Sequence, residues 1–234
     1  MPDHPPAPPG TEALFGDGWQ RAQEYVRLLC TEGVVRGVIG PREISRIWTR
    51  HIRNSLTVAP LLPHSCTAID LGSGGGLPGI PVALARPDLR ITLLDGMRRR
   101  IDFLLLARDT LGLHVDIEHA RAEAATCRAR YVICRAVAAA AQLLPLAHRL
   151  VDGRGELIAL KGQSAPDEVA ALQELLKGPR RVGWAPSAAE VVNVNWPDPA
   201  IVFRARWRHA GQRDPRRRPI DRGTDRDRQR GRHS

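Results

Sequence analysis

Two carboxylates 25 residues apart, Asp70 and Asp95, flank the densest run of glycine in the chain. Residues 70–81 read DLGSGGGLPGIP, with glycines at 72, 74, 75, 76 and 79. Such a loop admits positive φ and lets the backbone approach a ligand closely. Each acid closes a short apolar run, so both fall at the carboxyl ends of candidate strands, where open α/β sheets bind ligands. A carboxylate in the position of Asp95 can accept hydrogen bonds from both ribose hydroxyls of an adenosine. Two cofactor classes suit this arrangement. Gly74-x-Gly76-x-x-Gly79 matches the dinucleotide fingerprint, in which a helix N-terminus holds a pyrophosphate. The order D-x-G-x-G-x-G, with the acid two residues before the first glycine, fits S-adenosylmethionine better. A long helical stretch also precedes the first strand, whereas dinucleotide domains often begin near it.

The elements that must position these residues follow from periodicity. Trp19–Glu32 reads as a helix broken by Gly33 and Gly37, and Pro41–Leu62 resumes helical spacing. From Cys66 onward short apolar runs alternate with longer periodic segments. Strands are expected at Thr67–Leu71, Arg90–Leu94, Val115–His119, Tyr131–Val137 and Glu156–Leu160. Helices are expected at Gly79–Arg86, Arg98–Leu111, Ala138–Leu150 and Pro166–Leu176. Val182–Trp184 and Ile201–Trp207 add two more strands, plausible as an antiparallel pair. The expected fold is α/β: a Rossmann-like class I methyltransferase, with a mostly parallel seven-stranded sheet, helices on both faces and an N-terminal helical cap. The expected division is a disordered N-terminus over 1–13, the cap over 14–64, the cofactor-binding core over 65–207 and a disordered tail over 208–234.

Composition narrows the class. Apolar residues make up 43% of the chain, within the range of globular proteins. No apolar run is long enough to cross a bilayer, and the proline-rich start lacks the basic and apolar regions of a signal peptide. No membrane association and a cytoplasmic location are therefore expected. Cys30, Cys66, Cys127 and Cys134 form no metal-binding spacing, so reduced thiols and no metal are expected. The net charge of +10 is uneven: ten arginines and four aspartates lie between Arg208 and Ser234. That tail has little to bury. It is either an attractor of phosphate backbones through counterion release or a solvated extension.

With these motifs in view, the chain resembles a known family. The segments GVIGPREISRIWTRHIRNSLTVAPLL (37–62), DLGSGGGLPGIPVALARPDLRITLLDGMRRRIDFL (70–104), ICRAVA (133–138) and LIALKG (157–162) are similar to the bacterial small-subunit rRNA guanine-N7 methyltransferase G family, also called glucose-inhibited division protein B. The likeness spans about residues 14–207, and the G-P-R-E form looks actinobacterial. It implies methylation of N7 of a guanine in the 530 loop of 16S rRNA, by direct in-line attack of N7 on the methyl group of S-adenosylmethionine. The implied partner is 16S rRNA, the small ribosomal subunit or its precursor, met by a monomer. The implied cofactor contacts are Gly72, Leu77, Asp95, Ala122, Glu123 and Arg135. Gly75 stands where the family often has a bulkier residue, and Cys134 replaces a frequent serine. The rivals are a methyltransferase for another RNA or a small molecule, a non-catalytic RNA-binding assembly factor, and an NAD-dependent oxidoreductase.

The remaining polar residues divide by position. Arg135, ending the fourth strand, touches either the methionine carboxylate or the RNA, or is a surface arginine. Lys161, ending the fifth, is expected at the phosphate backbone or target base. Arg98, Arg99 and Arg100 open a helix whose start disfavours positive charge, which suggests an RNA face. His51 either contacts RNA or caps a neighbouring loop. Cys134 lacks the proline-cysteine context of a covalent methyltransferase nucleophile and reads as a buried thiol. Trp196, between polar residues, is the one tryptophan suited to stacking. No residue is expected as a catalytic acid or base; Arg135 and Lys161 are positioning residues. Deleting residues 211–234 should leave thermal stability nearly unchanged and should lower RNA affinity most at low salt. Equal affinity with and without the tail across a salt series would make it a solvated extension.

Overall fold

A computed structural model describes residues 4–135, 139–161, 170 and 183–207. Seven strands form one sheet: β1 (Thr67–Leu71), β2 (Arg90–Asp95), β3 (Val115–His119), β4 (Ala129–Arg135), β5 (Val151–Lys161), β6 (Ala188–Val194) and β7 (Ala200–Arg206). Their order is β3-β2-β1-β4-β5-β7-β6. The first five are parallel, and β7 runs antiparallel to both its neighbours. This is the expected α/β class, with a mostly parallel sheet. The strand order reverses between β1 and β4, which opens a crevice at their carboxyl ends. Register puts the chemistry there: Asp70 lies beside Leu93 and Ile133, and Leu71 lies beside Leu94.

The strands are nearly continuous apolar runs because both faces are covered. Alternate residues enter two cores. Ala68, Ile91, Leu93, Ile133 and Ile158 pack with the N-terminal helical segments, with α3 (Gly79–Ala85) and with α4 (Arg98–Leu111). Ile69, Leu94, Val132, Cys134 and Leu157 pack on the other face with α5 (Ala140–Leu150). Gly112, at φ +57°, ends α4 in the left-handed conformation that a side chain disfavours.

Several expected boundaries are corrected. The first helix, α1, spans Trp19–Leu28 and continues as a wider π turn over Leu29–Gly33. The continuous helix expected over Pro41–Leu62 is instead a 3₁₀ segment (Pro41–Arg46), a π segment (Ile47–Arg53), the short α2 (Asn54–Leu56) and a 3₁₀ turn (Ala59–Leu61). Pro60 lacks the N–H that a longer helix would use. The π segment buries Trp48, His51 and Ile52 together. The fourth strand starts at Ala129, before the expected Tyr131, and is described as far as Arg135; its expected end at Val137 lies outside the described residues. Trp184 lies in a turn, not a strand, and the edge strand is Ala188–Val194. The helix expected over 166–176 lies outside the described residues, apart from Ala170, as does the tail over 208–234.

Disorder across the whole of 1–13 is also corrected, over residues 4–13. Thr11 is buried and bonds to the Pro8 carbonyl, while the indole N–H of Trp48 donates to the Pro5 carbonyl at 3.0 Å. Prolines give this segment little conformational freedom to lose on docking. A second long-range tie joins the ends of the described chain: Arg53 forks onto both carboxylate oxygens of Asp198, at 2.8 and 2.6 Å. Among the described residues no helix is long and apolar enough to cross a membrane.

Phe103 is fully buried in the core that joins α4 to the sheet and the N-terminal segments. Phe103→Ala should therefore lower unfolding free energy by about 3–5 kcal/mol, read from a urea titration.

Candidate functional site

The loop after β1 is shaped by its own glycines and by Asp70. Asp70 is fully buried, and its Oδ2 accepts the Gly79 N–H at 2.8 Å, which docks the first turn of α3 against the strand end. A Cβ at Gly79 would stand 2.4 Å from Leu93 Cδ2 and 2.6 Å from Asp70 Oδ2, so no larger residue fits between strand and helix. Gly72, Gly74 and Gly76 have φ of +69°, +58° and +88° and carry the loop round that contact. The hydroxyl of Tyr25, on α1, donates to the Gly75 carbonyl and braces the loop from the N-terminal side. A Cβ on Gly75 would meet the side chains of Val38 at 3.0 Å and Leu29 at 3.2 Å, so a larger residue there would need both to shift slightly.

The loop borders a cleft of about 340 Å³, in the size range of small-molecule sites. Gly72, Ser73, Gly74, Gly75 and Leu77 form one wall. Val38, Ile39, His51, Arg100 and Arg135 come to it from the N-terminal segments, from α4 and from β4. Arg135 is half-buried. Its guanidinium donates to the Arg50 carbonyl at 3.0 Å and to His51 Nδ1 at 2.9 Å, and burial lowers its pKa. His51 is 8% exposed, and its Nε2 lies 2.8 Å from Glu43 Oε2.

Asp95 sits beside the loop with 3% exposure. One carboxylate oxygen accepts the Gly74 N–H at 3.0 Å and an Arg100 N–H at 3.2 Å, and the other accepts the Met97 N–H at 2.9 Å. The next loop reaches the same place, since the Ala120 N–H donates to the Asp95 carbonyl. On that loop Ala122 is buried and Glu123 exposed, with the Glu123 carbonyl taken by Arg149 at 2.7 Å.

Four residues expected from the sequence, Gly72, Leu77, Arg135 and His51, thus line one cleft, and Asp95 is bonded to its glycine loop, while Ala122 packs into the core with α5. The basic start of α4 divides. Arg98 is exposed and pairs with Asp102, Arg99 is exposed, and Arg100 turns inward to Asp95. Lys161 is half-buried at the end of β5, on the same edge of the sheet but not in the cleft lining. Its charge reaches Cys134, whose thiol burial pushes up to about 12, as an inert buried cysteine requires. Trp196 is 42% exposed, in keeping with its singling out among the tryptophans. No group of three or more possible metal ligands occurs among the described residues. The sequence reading passed over Tyr25, Val38, Glu43 and Ser73. Only Tyr25 carried a signal, a hydroxyl on a buried helix face that needs a partner.

The cleft suits a small ligand that carries an anionic group. Asp70 Oδ1 is buried and has no hydrogen-bond partner among the described residues. Arg135 faces the cleft as a cation that no carboxylate pairs at ion-pair distance among those residues.

Comparison with known proteins places these features. A family model described as rRNA small subunit methyltransferase G matches residues 19–179. The chain is 45% identical, over 79% of its length and 74% of the relative's, to ribosomal RNA small subunit methyltransferase G of Mycolicibacterium paratuberculosis. It is 38% identical to the protein of that name from Mycobacterium marinum, over 94% of this chain and 96% of that one. Among solved structures, a SAM-dependent methyltransferase from Aquifex aeolicus superposes with a TM-score of 0.51 and 13% identity, covering 75% of this chain and 97% of that chain, a likeness of fold.

Burial pushes the Asp70 carboxyl up to about 7, against the opposing influence of the Gly79 N–H, Ser73 and Arg135. An unfolded chain loses that proton near 3.9. The folded state thus holds more protons between about pH 4 and 7, so this group makes stability fall as pH rises through that window. Asp70→Asn keeps an acceptor for Gly79 and should flatten the slope, as urea titrations at about pH 5 and about pH 8 would show.

Proposed function

The chain belongs to the rRNA small subunit methyltransferase G family, and from that premise we propose that it methylates N7 of a guanine in the 530 loop of 16S rRNA, with S-adenosylmethionine held in the cleft between the glycine loop and Arg135. The observation that carries the reading is Arg135, a half-buried guanidinium that lines the cleft without a paired carboxylate among the described residues. A buried cation needs an opposite charge, and the methionine end of the donor brings one. Behind the glycine loop, fully buried Asp70 shapes the opposite wall through its bond to the Gly79 N–H. Asp95 suits the ribose hydroxyls. Gly72 and Leu77 form the wall beneath them, and Ala122 and Glu123 border the adenine side.

When bound, S-adenosylmethionine supplies an electrophilic methyl group on a positively charged sulfur. Guanine N7 carries a lone pair and no proton at neutral pH, so the protein has no proton to remove in making the nucleophile. No residue is assigned as acid or base. The chain's part is to hold both reactants in line, and proximity alone accounts for a large share of such barriers. The methylated ring gains positive charge, so Arg135 and Lys161 act through binding and orientation. Exposed Arg98 and Arg99, Lys161 at the sheet edge and the arginines beyond Trp207 supply the basic approach for phosphate groups. An rRNA substrate, free, in a precursor or in the small subunit, places the work in the cytoplasm, and a monomer has every element that this reading uses.

Mass mapping of 16S rRNA from cells with and without the protein tests the assignment: one methylated guanine in the 530 loop should disappear, and an unchanged map would reject it. With both substrates saturating, the single-turnover rate should be nearly flat from about pH 6 to 8.5, because no catalytic base titrates. Lys161→Ala should be largely restored by excess RNA. A steep ascending limb abolished by one substitution would show that the acceptor is a group that must lose a proton.

A further inference from the structure

The cation that carries the cofactor reading is itself held by an unusual partner. A buried arginine is ordinarily anchored by a carboxylate, which neutralises it. Here two of the guanidinium's N–H groups go to neutral acceptors, the Arg50 carbonyl and the imidazole Nδ1 of His51. An arginine can only donate, so Nδ1 carries the lone pair and the imidazole proton sits on Nε2. That Nε2–H donates to Glu43, 2.8 Å away. The carboxylate therefore stands one residue removed from the cation, with a neutral ring between. His51 is 8% exposed, on the π segment Ile47–Arg53, and its backbone carbonyl takes the Ser55 hydroxyl at 2.6 Å, which fixes its place in the turn.

We propose that Glu43 and His51 are positioning residues for methyl-donor binding: Glu43 sets the imidazole tautomer, and His51 orients Arg135 without neutralising it, so that the guanidinium charge is kept for the carboxylate of the donor. This rests on the reading of Arg135 as a contact of that carboxylate. The arrangement repeats the logic by which a second group fixes the tautomer of a functional histidine. Proton uptake by His51 would place an N–H against the guanidinium N–H and a second positive charge beside the first. The charged groups facing His51 are Glu43 and Arg50 from its own stretch of chain and Arg135 from β4. Burial and the Arg135 charge outweigh Glu43 and hold the imidazole below its ordinary range, so the neutral form prevails at neutral pH.

Calorimetric titration of the full-length protein with S-adenosylmethionine tests the proposal, with circular dichroism confirming that each variant folds. Arg135→Ala and His51→Ala should each weaken binding by roughly tenfold or more, the scale for losing a hydrogen bond to a charged group. His51→Asn, which keeps an acceptor near Nδ1, should restore most of the affinity. His51→Asp, which places a carboxylate against the guanidinium, should not. Glu43→Ala should weaken binding when His51 is present and add nothing in the His51→Asn background. Well below neutral pH, where the imidazole takes up its proton, affinity should fall more steeply for the unsubstituted chain than for His51→Asn. KM for the donor should rise more than kcat falls. Unchanged affinity in Arg135→Ala would overturn both this proposal and the placement of the donor carboxylate. Loss in Arg135→Ala with normal binding in His51→Ala and Glu43→Ala would overturn the positioning role alone.

Discussion

Asp70 is a carboxylate in a dry place, and the cleft takes its form from the contact that the carboxylate makes. Its Oδ2 takes the Gly79 N–H, which pins the start of α3 to the end of β1 and leaves no space for a side chain at Gly79. The residues between must then turn sharply, and three of them take positive φ to do so. The loop's backbone N–H groups are consequently spread among different acceptors. Those of Gly72 and Ser73 go to the Leu94 carbonyl and that of Gly74 goes to Asp95. The ends of β1 and β2 are thus tied to one another through the loop, with Asp70 bonded to the helix start and Asp95 to the loop. Burying the Asp70 charge is costly, and the raised carboxyl pKa is the measure of that cost.

The N-terminal segments are part of the site rather than an attachment to it. Tyr25 braces Gly75, Val38 and Ile39 wall the cleft, and His51 holds Arg135. These segments also share one apolar core with the sheet, through Val26, Leu29, Ile52 and Leu56 among others. A protein with the same sheet but another N-terminal segment would have the glycine loop and both acids, yet it would lack the brace and the anchored cation. The likeness to a methyltransferase of 13% sequence identity is one of fold; the brace and the anchored cation come from the segments before the sheet.

Charge follows the same division of labour. Arg98 pairs with Asp102 on the exposed side of α4, and solvent screens that pair. Arg100, two residues on, reaches the buried Asp95. Arg53 clamps Asp198, binding the turn between β6 and β7 to the N-terminal segments from a place 145 residues away in sequence. Arginines that are similar in the sequence therefore make three kinds of contact: surface pairing, loop support and long-range fastening.

How much of this could be read beforehand depended on how local the physics is. The alternation of strands and helices, the loop with its two flanking acids, and the ends of β1, β3 and α4 are set by residues close together in the chain, so spacing and periodicity sufficed. The edge strand β6 was misplaced because its two faces are similarly half-exposed and its alternation is weak. The helix expected over 41–62 was misread because apolar spacing alone does not distinguish an α turn from a π or 3₁₀ turn. His51 and Arg135 were both singled out, but nothing in the sequence joined them, and Glu43 was missed altogether. Their chain of hydrogen bonds crosses 84 residues and exists only because the sheet brings the end of β4 under the π segment. The sequence by itself determined the ends of β1 and β3, the turning loop and the acids, since those follow from short-range sterics and burial pattern. The tertiary structure alone decided which arginine is buried, what holds it and which way its charge is turned, because a buried charge is defined by neighbours that only folding supplies.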